Sequence, residues 1–139
     1  MKEAFVDANV VLRYLTKDPP AMAEASLKLF TAAQKGKISL RMVSITVAEI
    51  VWVLESFYNY SKSQIVETLS QFLFSDGLNV ESLDLIIEAL NLYQKKNLDF
   101  ADAFLSVVSL QDDHPIIYSF DHDFDRVTGI TRLEPGVVP

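Results

Sequence analysis

The chain alternates between short stretches with apolar residues at every second position and longer ones with apolar residues at three- and four-residue steps, the patterns of strands and of amphipathic helices. Residues 2 to 6, KEAFV, read as a first strand, and Val11, Leu12 and Leu15 mark a short helix after it. In DPPAMAEASLKLFTAAQKG the prolines open a helix at its first turn, Met22, Ala25, Leu29, Phe30 and Ala33 make its apolar face, and Gly36 stops it. Ile38, Leu40 and Met42 alternate with Ser39 and Arg41 as a second strand. SITVAEIVWVLESFYNY then carries Val47, Ile50, Val51, Leu54, Phe57 and Tyr58 at helical spacing, and SKSQIVETLSQFLF is a further helix opened by Ser61 and Gln64 in a capping-box pattern. After a brief strand in DGLNV, a helix runs from Ser82 to about Lys96, and another, in FADAFLSVVSL, has Phe100, Ala103, Phe104, Val107 and Val108 inward. An apolar strand from Pro115 to Phe120, the turn DHDFDRV and a last edge strand, ITRL, complete the series.

Strands separated by helices, too far apart in sequence for hairpins, imply an α/β fold with a central, mostly parallel sheet flanked by helices. With 139 residues, 50% of them hydrophobic, the chain is expected to form a single domain spanning residues 1 to 139. It has no cysteine, which excludes a disulfide framework and a thiolate metal site. No long uncharged apolar run suggests a leader or a membrane span, so a cytoplasmic protein is expected. The formal charge of -7 argues against a broad basic face for nucleic acid, although carboxylates gathered around cations would make the loaded protein less negative.

In α/β sheets functional groups collect beyond the carboxyl ends of the strands, where the following helices begin. Asp7 follows the first strand and Asp121 follows IIYSF. Glu49 comes three residues after Thr46, and Asp102 three after Asp99, each in the first turn of a helix. Each acid has a local explanation: Asp7 as an N-cap, Thr46 with Glu49 as a capping box, Asp99 with Asp102 as negative charge at a helix's positive end. Capping, however, requires no common edge, and acids crowded together repel one another more strongly as the local dielectric falls. Such a cluster calls for a cation, and an oxygen-only donor set suits Mg²⁺ or Mn²⁺. His114 and His122 have no partner at a ligand spacing and read as solvated or outer residues. Asp121, Asp123 and Asp125 open like an EF-hand loop, but Arg126 and Arg132 stand where that loop requires glycine and glutamate. There is no GxGxxG, GxxxxGK[ST] or GxSxG pattern.

Taken in order, VDANVVLRYL, ITVAEIVWVLE, LDFADAFL and IIYSFDHDF resemble the PIN domain and, in size and spacing, the VapC-type ribonuclease toxins. The resemblance covers essentially the whole chain. It implies a metal-dependent endoribonuclease whose acids fall on Asp7, Glu49, Asp102 and Asp121, with Asn9 and Ser119 as polar supports and Asp123 as an outer or second-metal ligand. Asp99 is assigned to capping and Asp125 to solvent. The resemblance also implies a homodimer and, for toxin members, a small antitoxin partner. VWVLESFYNY, with Trp52, Phe57, Tyr58 and Tyr60, holds more aromatic surface than one helix face normally buries and suits a subunit or antitoxin surface.

Asp7 and Asp102 are expected as principal ligands of a first Mg²⁺ or Mn²⁺, with Asp121 completing that shell or bridging to a second ion, and Glu49 acting through a bound water or as general base. Arg13, one to two helical turns from Asp7, is the candidate phosphate contact. Two readings compete. One is a PIN-like interaction module without activity. The other is a haloacid-dehalogenase-like phosphatase, suggested by Asp7-x-Asn9, but asparagine cannot exchange the proton that the second aspartate of that family handles.

Overall fold

The computed structural model describes residues 2–136 and 138. The chain divides into two compact units, one ending at Leu83 and the other starting at Asp84. The first holds β1 (Lys2–Phe5), α1 (Ala8–Thr16), α2 (Pro20–Gln34), β2 (Ile38–Met42), α3 (Ser44–Ser56), α4 (Lys62–Phe72) and β3 (Leu78–Val80). Its strands form one parallel sheet in the order β1-β2-β3, with Ala4 opposite Leu40 and Leu40 opposite Leu78. Helical crossovers between the strands make this parallel pairing possible.

The alternation in β2 is realised. Leu40 and Met42 are buried, whereas Arg41 points to the exposed face, its guanidinium 5.1 Å from the Phe5 ring centroid. On the buried side α1 packs on α2 and α3, and Tyr14, Phe30 and Phe72 cluster with ring centroids 4.9 to 5.8 Å apart. The α2 stripe is narrower than expected: Ser26, Phe30 and Ala33 are buried and Met22 is exposed. The capping box at Ser61 and Gln64 forms as expected, opening α4. In α3, Val47, Ile50, Val51 and Leu54 are buried, but Phe57, expected on the same face, is 72% exposed because the helix ends at Ser56.

The second unit holds α5 (Leu83–Lys95), α6 (Phe100–Ser109), β4 (Ile116–Tyr118), a 3-10 turn (His122–Arg126) and β5 (Thr131–Leu133). β5 returns parallel to β4, with Ile117 opposite Arg132. Ile86, Leu90, Tyr93, Leu98, Phe100, Ala103 and Val107 are buried, and the Tyr93 and Phe100 rings meet edge to face. Val108, expected inward, is exposed, and its place in the stripe is taken by Ser106. The expectation of an α/β fold with parallel strands between helices is met, with the strands in two parallel ladders. Among the described residues no helix is long and apolar enough to cross a membrane.

Gly77 shows how tightly the first sheet is joined to its helices. It adopts φ +82° and its carbonyl accepts from the Leu40 N–H at 2.8 Å, and a Cβ there would collide with the Ala33 carbonyl. Both the left-handed conformation and the close approach require glycine. Gly77→Ala should destabilise the protein by more than about 2 kcal/mol in urea unfolding; an unchanged midpoint would contradict this packing.

Candidate active site

In the first unit the parallel order places the ends of β1, β2 and β3 on one edge. After β1 the Val6 N–H donates to the Arg41 carbonyl at 3.0 Å, and the chain leaves the sheet at Asp7 in extended conformation. Asp7 caps α1, one carboxylate oxygen accepting from the Val10 N–H at 3.2 Å, and its side chain is exposed, as is that of Asn9 two residues on. The cap uses Oδ1 of Asp7, so that bond leaves Oδ2 for other work.

Glu49 is not where its capping box would put it. α3 begins at Ser44, with Val43 as an N-cap that makes no side-chain bond. Thr46 therefore lies inside the helix and Glu49 in its second turn. The cap comes from elsewhere: Glu81, just past β3, accepts from the Ser44 N–H at 3.1 Å and from the Ser44 hydroxyl at 2.8 Å. Those two bonds hold the Glu81 carboxyl below its usual range. The pairing of β3 beside β2, which no local motif records, supplies this acid. Glu49 is exposed on the outward face of α3, at helical spacing from Ile45 and Trp52, which are 74% and 69% exposed. The Arg13 guanidinium lies 3.4 Å from both the Asp18 carbonyl and the Tyr58 hydroxyl. Neither of those partners neutralises its charge.

In the second unit Asp99 caps α6 as expected, accepting from the Asp102 N–H at 2.9 Å. Asp121 caps the 3-10 turn by accepting from the Asp123 N–H at 2.8 Å, while its own N–H donates to the Ser119 hydroxyl at 2.9 Å. Ser119 thus orients the backbone that carries Asp121. α6 leads into β4, so the start of α6 and the turn after β4 lie at the same end, and Asp102 senses the acids on both. Its carboxyl is pushed up, first by partial burial and then by the charges of Asp99, Asp121 and Asp123. Among the sequence-predicted residues, the structure brings Asp102, Asp121 and Asp123 together in this way.

Asp125 is exposed, as expected, and is also held by the Arg132 Nε at 3.0 Å, lying 3.2 Å from His122 Nδ1. Hydrogen bonds to Arg132 and His122 keep its carboxyl below the usual range. Arg132, with a side chain only 11% exposed, also donates to the Ser119 carbonyl at 2.9 Å. Arg126 pairs with Asp123 at 2.9 Å and donates to the Asn97 carbonyl at 2.8 Å. The i,i+3 spacing of Asp123 and Arg126 was a legible signal, whereas the Arg132 contacts exist only because β5 lies beside β4.

Among the described residues no group of three or more His, Asp or Glu is gathered closely enough to hold a metal ion. The donor chemistry nevertheless fits one. Asp102, Asp121 and Asp123 offer hard oxygen ligands, and Asp102 is pushed up first by partial burial and then by neighbouring like charges, the part that a divalent cation would relieve.

The PIN domain family matches residues 4–130. Among curated proteins, the chain is similar to the VapC ribonuclease of Aquifex aeolicus (strain VF5), 26% identical over 130 residues that cover 94% of this chain and 95% of that protein. These findings bear out the resemblance read from the four motifs.

The raised carboxyl of Asp102 gives a prediction with a definite sign. Between its unfolded and its higher folded pKa the folded chain binds the extra proton, so this group's contribution to stability falls as pH rises through that window. In chelator at neutral pH, Asp102→Asn should therefore raise the melting temperature, and the advantage should shrink as the pH is lowered. A lower melting temperature at pH 7 would show that the repulsion is absent.

Proposed function

Because the chain belongs to the PIN domain family, we propose that it is a VapC-type nuclease: a divalent-metal-dependent endoribonuclease, the toxin of a toxin-antitoxin pair, with residues 1 to 139 acting as one nuclease domain. The observation that carries the chemistry is the set of hard oxygen donors on Asp99, Asp102, Asp121 and Asp123, where partial burial first and the charges of the other three acids second raise the Asp102 carboxyl. The near end-to-end similarity to a protein called a ribonuclease supports RNA as the substrate.

In this mechanism Asp7, Asp102 and Asp121 would hold Mg²⁺ or Mn²⁺. When bound, the ion lowers the pKa of a water and offsets charge on the phosphate oxygens. Glu49, which does not cap its helix, takes the proton from the attacking water. Asn9 and Ser119 support the carboxylates, Ser119 through the Asp121 N–H. Asp123 acts as an outer ligand. Arg13, whose two hydrogen-bond partners are neutral, meets a substrate phosphate. No side-chain nucleophile is required. The exposed Ile45 and Trp52 on α3 and the exposed Phe57 support a homodimer surface, with an antitoxin covering part of it.

Asp7→Asn and Asp102→Asn should each slow Mn²⁺-dependent cleavage of structured RNA by at least about 100-fold while circular dichroism stays unchanged. EDTA should abolish cleavage by the parent chain. Undiminished cleavage by either variant would remove that residue from the site, and failure of the parent chain to bind Mn²⁺ in calorimetry would favour an inactive interaction module. In sedimentation equilibrium Trp52→Asp should weaken self-association; a parent chain that is monomeric at high concentration would overturn the dimer.

A further inference from the structure

The second unit contains two acid-bearing segments: Asp99 and Asp102 at the start of α6, and Asp121 and Asp123 in the turn after β4. Asp99 caps α6 and Asp121 caps the turn after β4, and because α6 leads into β4 both capped starts lie at one end of the unit. Left alone, like charges so placed push the two segments apart. One side chain joins them. The Arg126 Nη2 lies 2.9 Å from Asp123 Oδ1, and its Nη1 donates to the Asn97 carbonyl at 2.8 Å and more weakly to the Lys96 carbonyl at 3.3 Å.

The chemistry at both ends suits an arginine. α5 ends at Lys95, the Lys96 N–H still bonds back to the Leu92 carbonyl, and Asn97 turns the chain with φ +52°. The Lys96 and Asn97 carbonyls therefore lie just beyond the last turn, at the negative end of a helix dipole, where a cation is favoured. Asn97 is two residues before Asp99, the cap of α6. A planar guanidinium presents several donors in a rigid fork, so one nitrogen can hold the backbone carbonyls while another holds the carboxylate, a geometry that a lysine ammonium does not reproduce.

We propose that Arg126 is a positioning residue: by clamping Asp123 to the Asn97 carbonyl it sets the spacing between the Asp99/Asp102 and Asp121/Asp123 segments, and with it the affinity for a divalent cation. This rests on the metal-dependent reading above. The Arg126 and Asp123 side chains are 45% and 41% exposed, so the pair contributes little to global stability. Its influence is on local geometry.

The test compares the parent chain with Arg126→Ala and Arg126→Lys by Mn²⁺ calorimetry, thermal melting, and amide exchange without metal. Arg126→Ala should weaken Mn²⁺ binding by about 10- to 100-fold, as loss of an orienting partner does, with Arg126→Lys in between. The melting temperature should move by less than about 3 °C, and amides of residues 97–102 should exchange faster in Arg126→Ala alone. Unchanged exchange there, or Mn²⁺ affinity equal to that of the parent, overturns the clamp; so does a melting shift beyond about 6 °C, which would make Arg126 a general stability residue. A parent chain that binds no Mn²⁺ would sink the nuclease reading instead, and faster exchange at 97–102 would still uphold the clamp.

Discussion

Parallel strand pairing is the constraint on which the rest of this structure depends. Because β1, β2 and β3 run the same way, each strand must be followed by a helix or long connection that returns to the opposite edge. Every exit from the first sheet therefore lies on one side, and that is where Asp7, the start of α3 and Glu81 are found. The same logic orders the second unit, in which α6 leads into β4 and the turn after β4 returns acids to the level of the α6 start. Asp7, Glu81 and Asp121 stand where the backbone leaves a strand, and Asp99 and Asp102 stand at the start of α6, the helix that leads into β4.

Helix beginnings make these positions tolerable. Asp7, Asp99 and Asp121 each bond a backbone N–H near the start of the following helix or turn, so part of each negative charge is met locally. Capping and cation binding are thus compatible uses of one side chain: the cap fixes the orientation of the carboxylate and occupies one oxygen. Asp102 has no such relief. It is partly buried and feels three neighbouring acids, a penalty that a cation there would relieve. Arg126 and Arg132 lie around the turn after β4, each paired with an acid, Asp123 and Asp125, and neither is among the causes that shift Asp102. The result is a turn held at its rim by ion pairs and hydrogen bonds, with Asp123 and Asp125 paired and Asp121 met by a backbone N–H.

Much of this was legible in the sequence. Alternation in ISLRM gave β2, the Ser61 and Gln64 pair gave the start of α4, and the acids after each strand gave the candidate site, because period and cap chemistry act over a few residues. The failures share a cause. Thr46 and Glu49 carry the letters of a capping box, yet α3 starts three residues earlier because Glu81, from a neighbouring strand's end, holds the Ser44 N–H and hydroxyl. Asp125 is exposed as a solvated acid should be, but its pairing with Arg132 was not legible, because β5 brings that arginine against it. Phe57 keeps helical spacing with a buried stripe, yet the helix ends before it.

The sequence by itself determined the order of strands and helices, the family, and which acids follow which strands, since hydrophobic period and turn residues are properties of short windows. Only the tertiary structure decided which charges meet: Glu81 with Ser44, Arg132 with Asp125, and Arg126 with the chain just ahead of Asp99. Those contacts depend on strand register and on distances between segments tens of residues apart, and the energy of a charge depends on its neighbours in space rather than along the chain.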